Sequence, residues 1–245
     1  MKRILMAVVM VFTFIIGACS CDKFDISTYE SAVKNFKNST GFEYELIVTK
    51  KVEGQNYYVR EESYNKYSLT TTGEVENFSS LLKSYTIATP DNGPEGAPTL
   101  VYTEENYYNG EENKFYFNKV PARGMGEKGV KENITYEHVY NEANDPRNTK
   151  NLVPTFSKDE LSGFQIANIE SKKGYSSSVF TAPVPSFIES DEDVALYSVT
   201  MNKNFYFDTM EFYVVDGDTT TTYEYKFINY NSNVNVEFPA DLANY

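Results

Sequence analysis

Residues 210–238 read MEFYVVDGDTTTTYEYKFINYNSNVNVEF, and this stretch decides the fold class. Tyr223, Tyr225 and Phe227 alternate with Thr222, Glu224 and Lys226, and Val234, Val236 and Phe238 alternate with Asn233, Asn235 and Glu237. Successive side chains of an extended strand point to opposite faces, so each run reads as a strand with one apolar face. Asp216-Gly217, between Met210–Val215 and Thr219–Phe227, signals a tight hairpin, because glycine takes the positive φ such a turn requires. With Val194–Met201 and Phe205–Phe207 ahead of them, these segments predict an antiparallel meander.

The same period of two begins much earlier. Phe42, Tyr44, Leu46 and Val48 alternate with Glu43, Glu45 and Thr49, and Tyr57–Leu69 supplies one or two more strands after a turn at Gly54. Leu100–Thr103, Tyr107–Tyr108 and Lys114–Val120 read likewise. Residues 73–84 are ambiguous, and Val75, Phe78, Leu81 and Leu82 are compatible with a short helix. A helix is expected just before the first strand. Ser27-Thr28-Tyr29-Glu30 has capping-box spacing, and Tyr29, Ala32, Val33 and Phe36 form an i, i+3, i+4, i+7 stripe that Gly41 closes. Ser157-Lys158-Asp159-Glu160 repeats the box and predicts a short second helix ended by Gly163.

Pro90–Pro98, with three prolines and two glycines, reads as an exposed loop. The polar stretch from Pro121 to Pro154 is either a linker or an excursion within one domain. The excursion is preferred, because neither flank holds a complete pattern of its own.

The N-terminus carries an address. Lys2 and Arg3 precede an uncharged run from Ile4 to Ile16, and Ile16-Gly17-Ala18-Cys19 follows. A basic end, a short apolar run and small residues make a secretory signal, and the run is shorter than the roughly 20 residues of a spanning helix. The last four residues match the lipobox of bacterial lipoproteins. Cleavage after Ala18 and acylation of Cys19, with palmitate-like chains, are therefore expected. Cys21 is the poorer alternative. Residues 1–18 are read as the signal peptide and 19–25 as a lipid-anchored tether, which places the chain on the extracytoplasmic face of the cell membrane. No cysteine follows Cys21, so the folded part has no disulfide, cysteine nucleophile or cysteine-based metal site.

The remaining 227 residues carry 20 basic and 35 acidic side chains, a net charge of -15. That opposes nucleic-acid binding, which needs clustered Lys and Arg, and opposes electrostatic adhesion to anionic lipid. His138 is the only histidine, so imidazole triads and histidine-ligated metals lack parts. Ser31–Lys34 and Ser80–Lys83 have the Ser-x-x-Lys spacing without companion motifs. Glu189-Ser190-Asp191-Glu192-Asp193 lacks the glycine and spaced ligands of a calcium loop and reads as a solvated acidic turn. No catalytic residue, metal or cofactor is expected.

What stands out is the abundance of Tyr (21) and Phe (17) without Trp. They either fill a core or line a cavity that a curved sheet leaves under incomplete helical cover. For the second case Phe42, Tyr44, Leu46, Phe115, Phe117, Tyr223, Tyr225 and Phe227 are the expected ligand contacts.

The N-terminal helix, the long meander and the ending Tyr225-Lys226-Phe227-x-Asn229-Tyr230-Asn231, then Val234-x-Val236-x-x-Pro239, resemble the LolA/LolB-like superfamily with its LppX/LprG type of lipoprotein. The resemblance implies an α+β, mostly β fold. Its core is a strongly curved antiparallel sheet, an unclosed half-barrel, with an N-terminal helix and short helices covering one face. It implies a single domain over residues 26–245 that carries a lipid or other apolar ligand without catalysis. The rival is a structural or protein-interaction lipoprotein with no cavity and an unknown protein partner. A hydrolase using paired acids comes third.

Overall fold

The computed structural model describes residues 26–70, 73–91, 93–135, 153, 154, 156, 160, 161, 164–169, 173–185, 188, 190, 193–231 and 234–245. Among them are one α-helix, α1 (Ile26–Lys37), and twelve strands. The first six strands are β1 (Gly41–Val52), β2 (Tyr57–Leu69), β3 (Val75–Ala88), β4 (Thr99–Asn109), β5 (Lys114–Pro121) and β6 (Glu127–Glu132). Three short strands follow, β7 (Ile166–Asn168), β8 (Tyr175–Ser177) and β9 (Phe180–Pro183). The last three are β10 (Val194–Met201), β11 (Phe207–Asp216) and β12 (Thr219–Tyr230).

All twelve belong to one antiparallel sheet in the order β6-β5-β4-β3-β2-β1-β12-β11-β10-β8-β7, with β9 also on β10. Two meanders are therefore joined where the first strand pairs with the last. The β1–β12 register runs from Phe42 opposite Tyr230 to Val52 opposite Thr219. The outer strands β6 and β7 do not meet, so the sheet is an unclosed half-barrel. One face of it is greasy, and α1 lies against that face. The expected stripe of Tyr29, Ala32, Val33 and Phe36 is what the helix buries. Each such large side chain contributes about 1.5–3 kcal/mol when removed from water.

Several elements differ from their sequence reading. Residues 75–88 are strand, not helix: β2 offers them a full hydrogen-bonding ladder from Tyr57–Ala88 to Leu69–Val75. Pairing across a sheet overrides a weak local helical spacing. Leu100–Thr103 and Tyr107–Tyr108 are two ends of the single strand β4. Gly41 opens β1 rather than closing α1, which ends at Lys37. Part of the polar excursion, Glu127–Glu132, adds the edge strand β6.

Val234–Phe238 alternates like a strand but forms none. Both edges of β12 are already taken, by β1 and β11. Asn231 at φ 58° turns the chain out of the sheet, with its Oδ1 accepting the Thr40 N–H at 3.1 Å. The tail then runs across the outer face, setting Phe238 against Tyr107 of β4 and Tyr245 against Tyr107 and Tyr116. Residues 1–25, with Cys19 and Cys21, lie outside the described residues. So do His138, most of the Glu189–Asp193 run, and Ser157, Lys158 and Asp159 of the second capping box.

Candidate functional site

The register fixes which side chains share the inner face. Phe42 stands opposite Tyr67, Tyr44 opposite Asn65, Leu46 opposite Ser63 and Val48 opposite Glu61. On the other side Tyr44, Leu46 and Val48 face Phe227, Tyr225 and Tyr223. The same rows continue through Phe78, Tyr108 and Phe115 in one wing, and through Met210, Phe212 and Tyr197 in the other.

At the helix end these rows are filled. The Phe36 ring lies 5.1 Å from Phe42 and 5.7 Å from Phe227, and Tyr67 stacks on Phe78 at 4.7 Å. Tyr29 contacts Phe156, Phe164 and Phe207, and its buried hydroxyl donates to the Pro154 carbonyl at 2.7 Å. Burial in this apolar stack pushes the Tyr29, Tyr44 and Tyr225 hydroxyls well above the ordinary tyrosine range, with neighbouring tyrosines adding to the effect. They are neutral spacers rather than reactive groups.

At the opposite end the described residues leave the inner face unfilled. A cleft of about 390 Å³ lies over β2, β1, β12 and β11, lined by Val48, Val59, Glu61, Val214, Thr221 and Tyr223, with Ile188 across it. Small-molecule sites fall in the range of roughly 300–1,000 Å³. The cleft wall is apolar along Val48, Val59 and Val214 and elsewhere polar, with Lys50, Glu61 and Asp216 as its charged members.

Glu61 leads into a polar band on the same face. The Tyr102 hydroxyl donates to Glu61 Oε1 at 3.0 Å, and burial followed by that carboxylate pushes the hydroxyl up to about 12. Lys119 lies 3.5 Å from Glu104 and sits over the Tyr102 ring at 4.4 Å. Asn106 donates to Glu104 at 3.0 Å and Asn65 to Ser63 at 2.9 Å. The band can present carboxylate, hydroxyl, amide and ammonium groups to the polar part of a bound molecule. Among the described residues no group of three or more His, Cys, Asp or Glu side chains could hold a metal ion, and no helix is long and apolar enough to cross a membrane.

The eight expected contacts all lie on this inner face, in two environments. Phe42, Tyr44, Phe115, Tyr225 and Phe227 are buried in the packed core, whereas Leu46, Phe117 and Tyr223 are half-buried. Tyr223 alone of the eight lines the cleft. Sequence reasoning missed Glu61, Tyr102, Glu104 and Lys119. A signal existed in β2, where the inward positions 59, 61, 63, 65 and 67 read Val, Glu, Ser, Asn and Tyr. A strand that turns polar residues to its core side departs from the usual alternation.

No protein-family model matches the sequence, and no curated protein matches it. Among solved structures the chain is similar to LprF from Mycobacterium bovis, at 11% identity and a TM-score of 0.48 over 87% of this chain and 96% of that one. It is also similar to the lipoprotein LppX from Mycobacterium tuberculosis, at 10% identity and a TM-score of 0.41 over 86% of this chain and 97% of that one.

Proposed function

We propose that this protein is a non-enzymatic envelope lipoprotein, held to the extracytoplasmic face of the membrane through Cys19, that receives a lipid or other apolar molecule in the open end of its half-barrel. The observation that carries the reading is the uneven filling of the inner face: packed with rings beneath α1, vacant over Val48, Val59, Val214 and Tyr223. An apolar hollow with a few convergent polar groups is the usual form of a small-molecule site. Here Val48, Val59 and Val214 supply the apolar wall, and Lys50, Glu61, Asp216 and Thr221 are polar groups beside it, with Tyr102 bonded to Glu61 at the margin. Leu46 and Phe117, half-buried on the same face, extend the contact surface along the trough.

Native mass spectrometry of the protein taken from its own membranes tests this. The expected spectrum contains a bound species that organic solvent extracts, and that is lost when Thr221→Trp fills the cleft. A protein that is empty in every preparation sinks the reading.

A second reading has its own support. Five of the eight expected contacts are structural core, and the chain is strongly acidic. Both suit a lipoprotein that docks a protein partner and carries no cargo. Pull-down of one specific partner by a protein without cargo would favour it.

A further inference from the structure

The β5–β6 hairpin ends in the turn Ala122-Arg123-Gly124-Met125-Gly126, and Met125 is 94% exposed. Gly124 sits at φ 104°, a conformation that side-chain-bearing residues rarely adopt, and a Cβ at Gly126 would come within 2.8 Å of the Lys119 carbonyl. The backbone of this tip is therefore specified, with Met125 held away from the body of the protein. Val120 and Val101 stand beside it at 47% and 42% exposure, and the Ala122 N–H donates to the Val101 carbonyl. Single exposed aliphatic residues need no explanation, but a projecting methionine with valines at its base does.

The charge around the tip runs against that of the chain. From Lys119 to Lys128 there are three basic residues and one acid, Glu127, in a protein of net charge -13, and Lys119 is paired with Glu104 of the neighbouring strand. Strand β5 spans on the order of 26 Å at about 3.3 Å per residue. The screening length at physiological salt is about 8 Å, so a surface touching the tip feels the hairpin's charges more than those of the distant body. The turn is also at the open end of the half-barrel, because Pro121 pairs with Tyr102, the residue that bonds Glu61 at the margin of the cleft.

The geometry points to the β5–β6 tip as a membrane-contact site for anionic phospholipid. Met125 enters the interface, while Arg123 meets the head groups. A flexible thioether suits an irregular acyl boundary, and basic side chains favour an anionic leaflet. The inference is independent of whether the cleft holds cargo, since it concerns the rim and not the interior.

The chain contains no Trp, so Met125→Trp installs a single fluorescent reporter. On vesicles of phosphatidylcholine with phosphatidylglycerol, its emission is expected to shift to the blue and to be quenched by brominated acyl chains. Both effects should weaken in high salt, with Arg123→Glu, and on pure phosphatidylcholine. Ile228→Trp, on β12 at the helix end, is expected to show neither, even where the acyl anchor holds the protein on the same vesicles. Emission at position 125 that stays characteristic of water, or that changes equally at position 228, overturns the proposal. So does a shift that requires an added membrane protein rather than anionic lipid.

Discussion

Tyr102 of β4 reaches across β3 to donate its hydroxyl hydrogen to Glu61 Oε1 of β2 at 3.0 Å, with Ser84 of the intervening strand bonding the same hydroxyl. The bond ties three strands together at the margin of the cleft. A hydrogen bond to a charged group contributes roughly 1.5–3 kcal/mol when well buried, and partial exposure lowers that. Tyr102→Phe is expected to cost about 1 kcal/mol in urea unfolding, with the denaturant slope unchanged. No measurable loss would mean that the ring, which phenylalanine keeps, and not the hydroxyl, holds the wing.

Phe42 and Tyr223 share a face but not an environment, so their truncations should separate stability from binding. Phe42 is fully buried, with Phe36, Tyr44 and Tyr67 around it. Phe42→Ala is expected to destabilise by about 3–5 kcal/mol, the range for removing a packed ring. Half-buried Tyr223 stacks on Phe212 at 4.8 Å and lines the cleft. Tyr223→Ala should cost about 1–2 kcal/mol, yet abolish the bound species in native mass spectra. Equal stability losses with unchanged cargo would remove Tyr223 from the site.

The contrast between these two residues also marks how far the sequence could be read. Period-two alternation places Phe42, Tyr44, Tyr225 and Phe227 on one face, and the amphipathic stripe of α1 supplies its cover. Both are local signals that survive folding. Whether an inward ring meets another ring or empty space depends on what lies across the half-barrel, and that is set by register and curvature over many strands. Val234–Phe238 shows the same boundary from the other side. Its alternation is as clean as that of β12, but both edges of β12, the strand it follows, are already taken. The polar positions of β2 left a signal in its sequence, but it is their pairing with β1 that shows them facing inward.

Glu211 and Glu224 stand directly opposite each other in the β11–β12 ladder. Burial and the facing carboxylate both hold the Glu211 carboxyl above its ordinary range. The folded state thus binds that proton more tightly than the unfolded state. The strain is present at neutral pH and disappears as pH falls through the raised value toward the ordinary one of about 4.3. Opposite charges in such cross-strand pairs are worth roughly 0.2–1 kcal/mol. Glu224→Lys is expected to stabilise by about 0.5 kcal/mol at pH near 7, with the gain lost once Glu211 is protonated. A gain equally large in acid would point to packing of the lysine stem instead.

Tyr29, Tyr44 and Tyr225 give the protein a predictable alkaline limit. Their hydroxyls ionise well above the ordinary value of about 10, chiefly because burial disfavours the phenolate. The folded state therefore keeps protons that the unfolded chain releases. Stability is fully present below about pH 10 and falls as pH rises beyond it. Ultraviolet titration should show exposed tyrosines ionising gradually, then a steep step as unfolding releases the buried ones. Smooth ionisation of all 21 tyrosines with the fold intact would contradict the burial.

Tyr245 pins the tail onto the outer face of the β4–β6 wing. Its ring is 6.4 Å from Tyr107 and 6.1 Å from Tyr116, Lys128 Nζ sits 4.1 Å above it, and its hydroxyl donates to Glu105 at 3.3 Å. Edge contacts between rings contribute about 0.5–1.5 kcal/mol each beyond buried area, and a cation over an exposed ring about 0.5–1 kcal/mol. Strand β6 is the sheet's edge and has β5 as its one ladder partner, so this wing depends on the tail more than the β10–β12 wing does. Tyr245→Ala is expected to cost about 1–2 kcal/mol, below the sum of those contacts because the chain end regains freedom. The loss should be local: amide exchange should quicken in Lys114–Glu132 while Phe207–Tyr230 keeps its protection. Equal acceleration in both wings would show that the tail supports the whole half-barrel rather than its free edge.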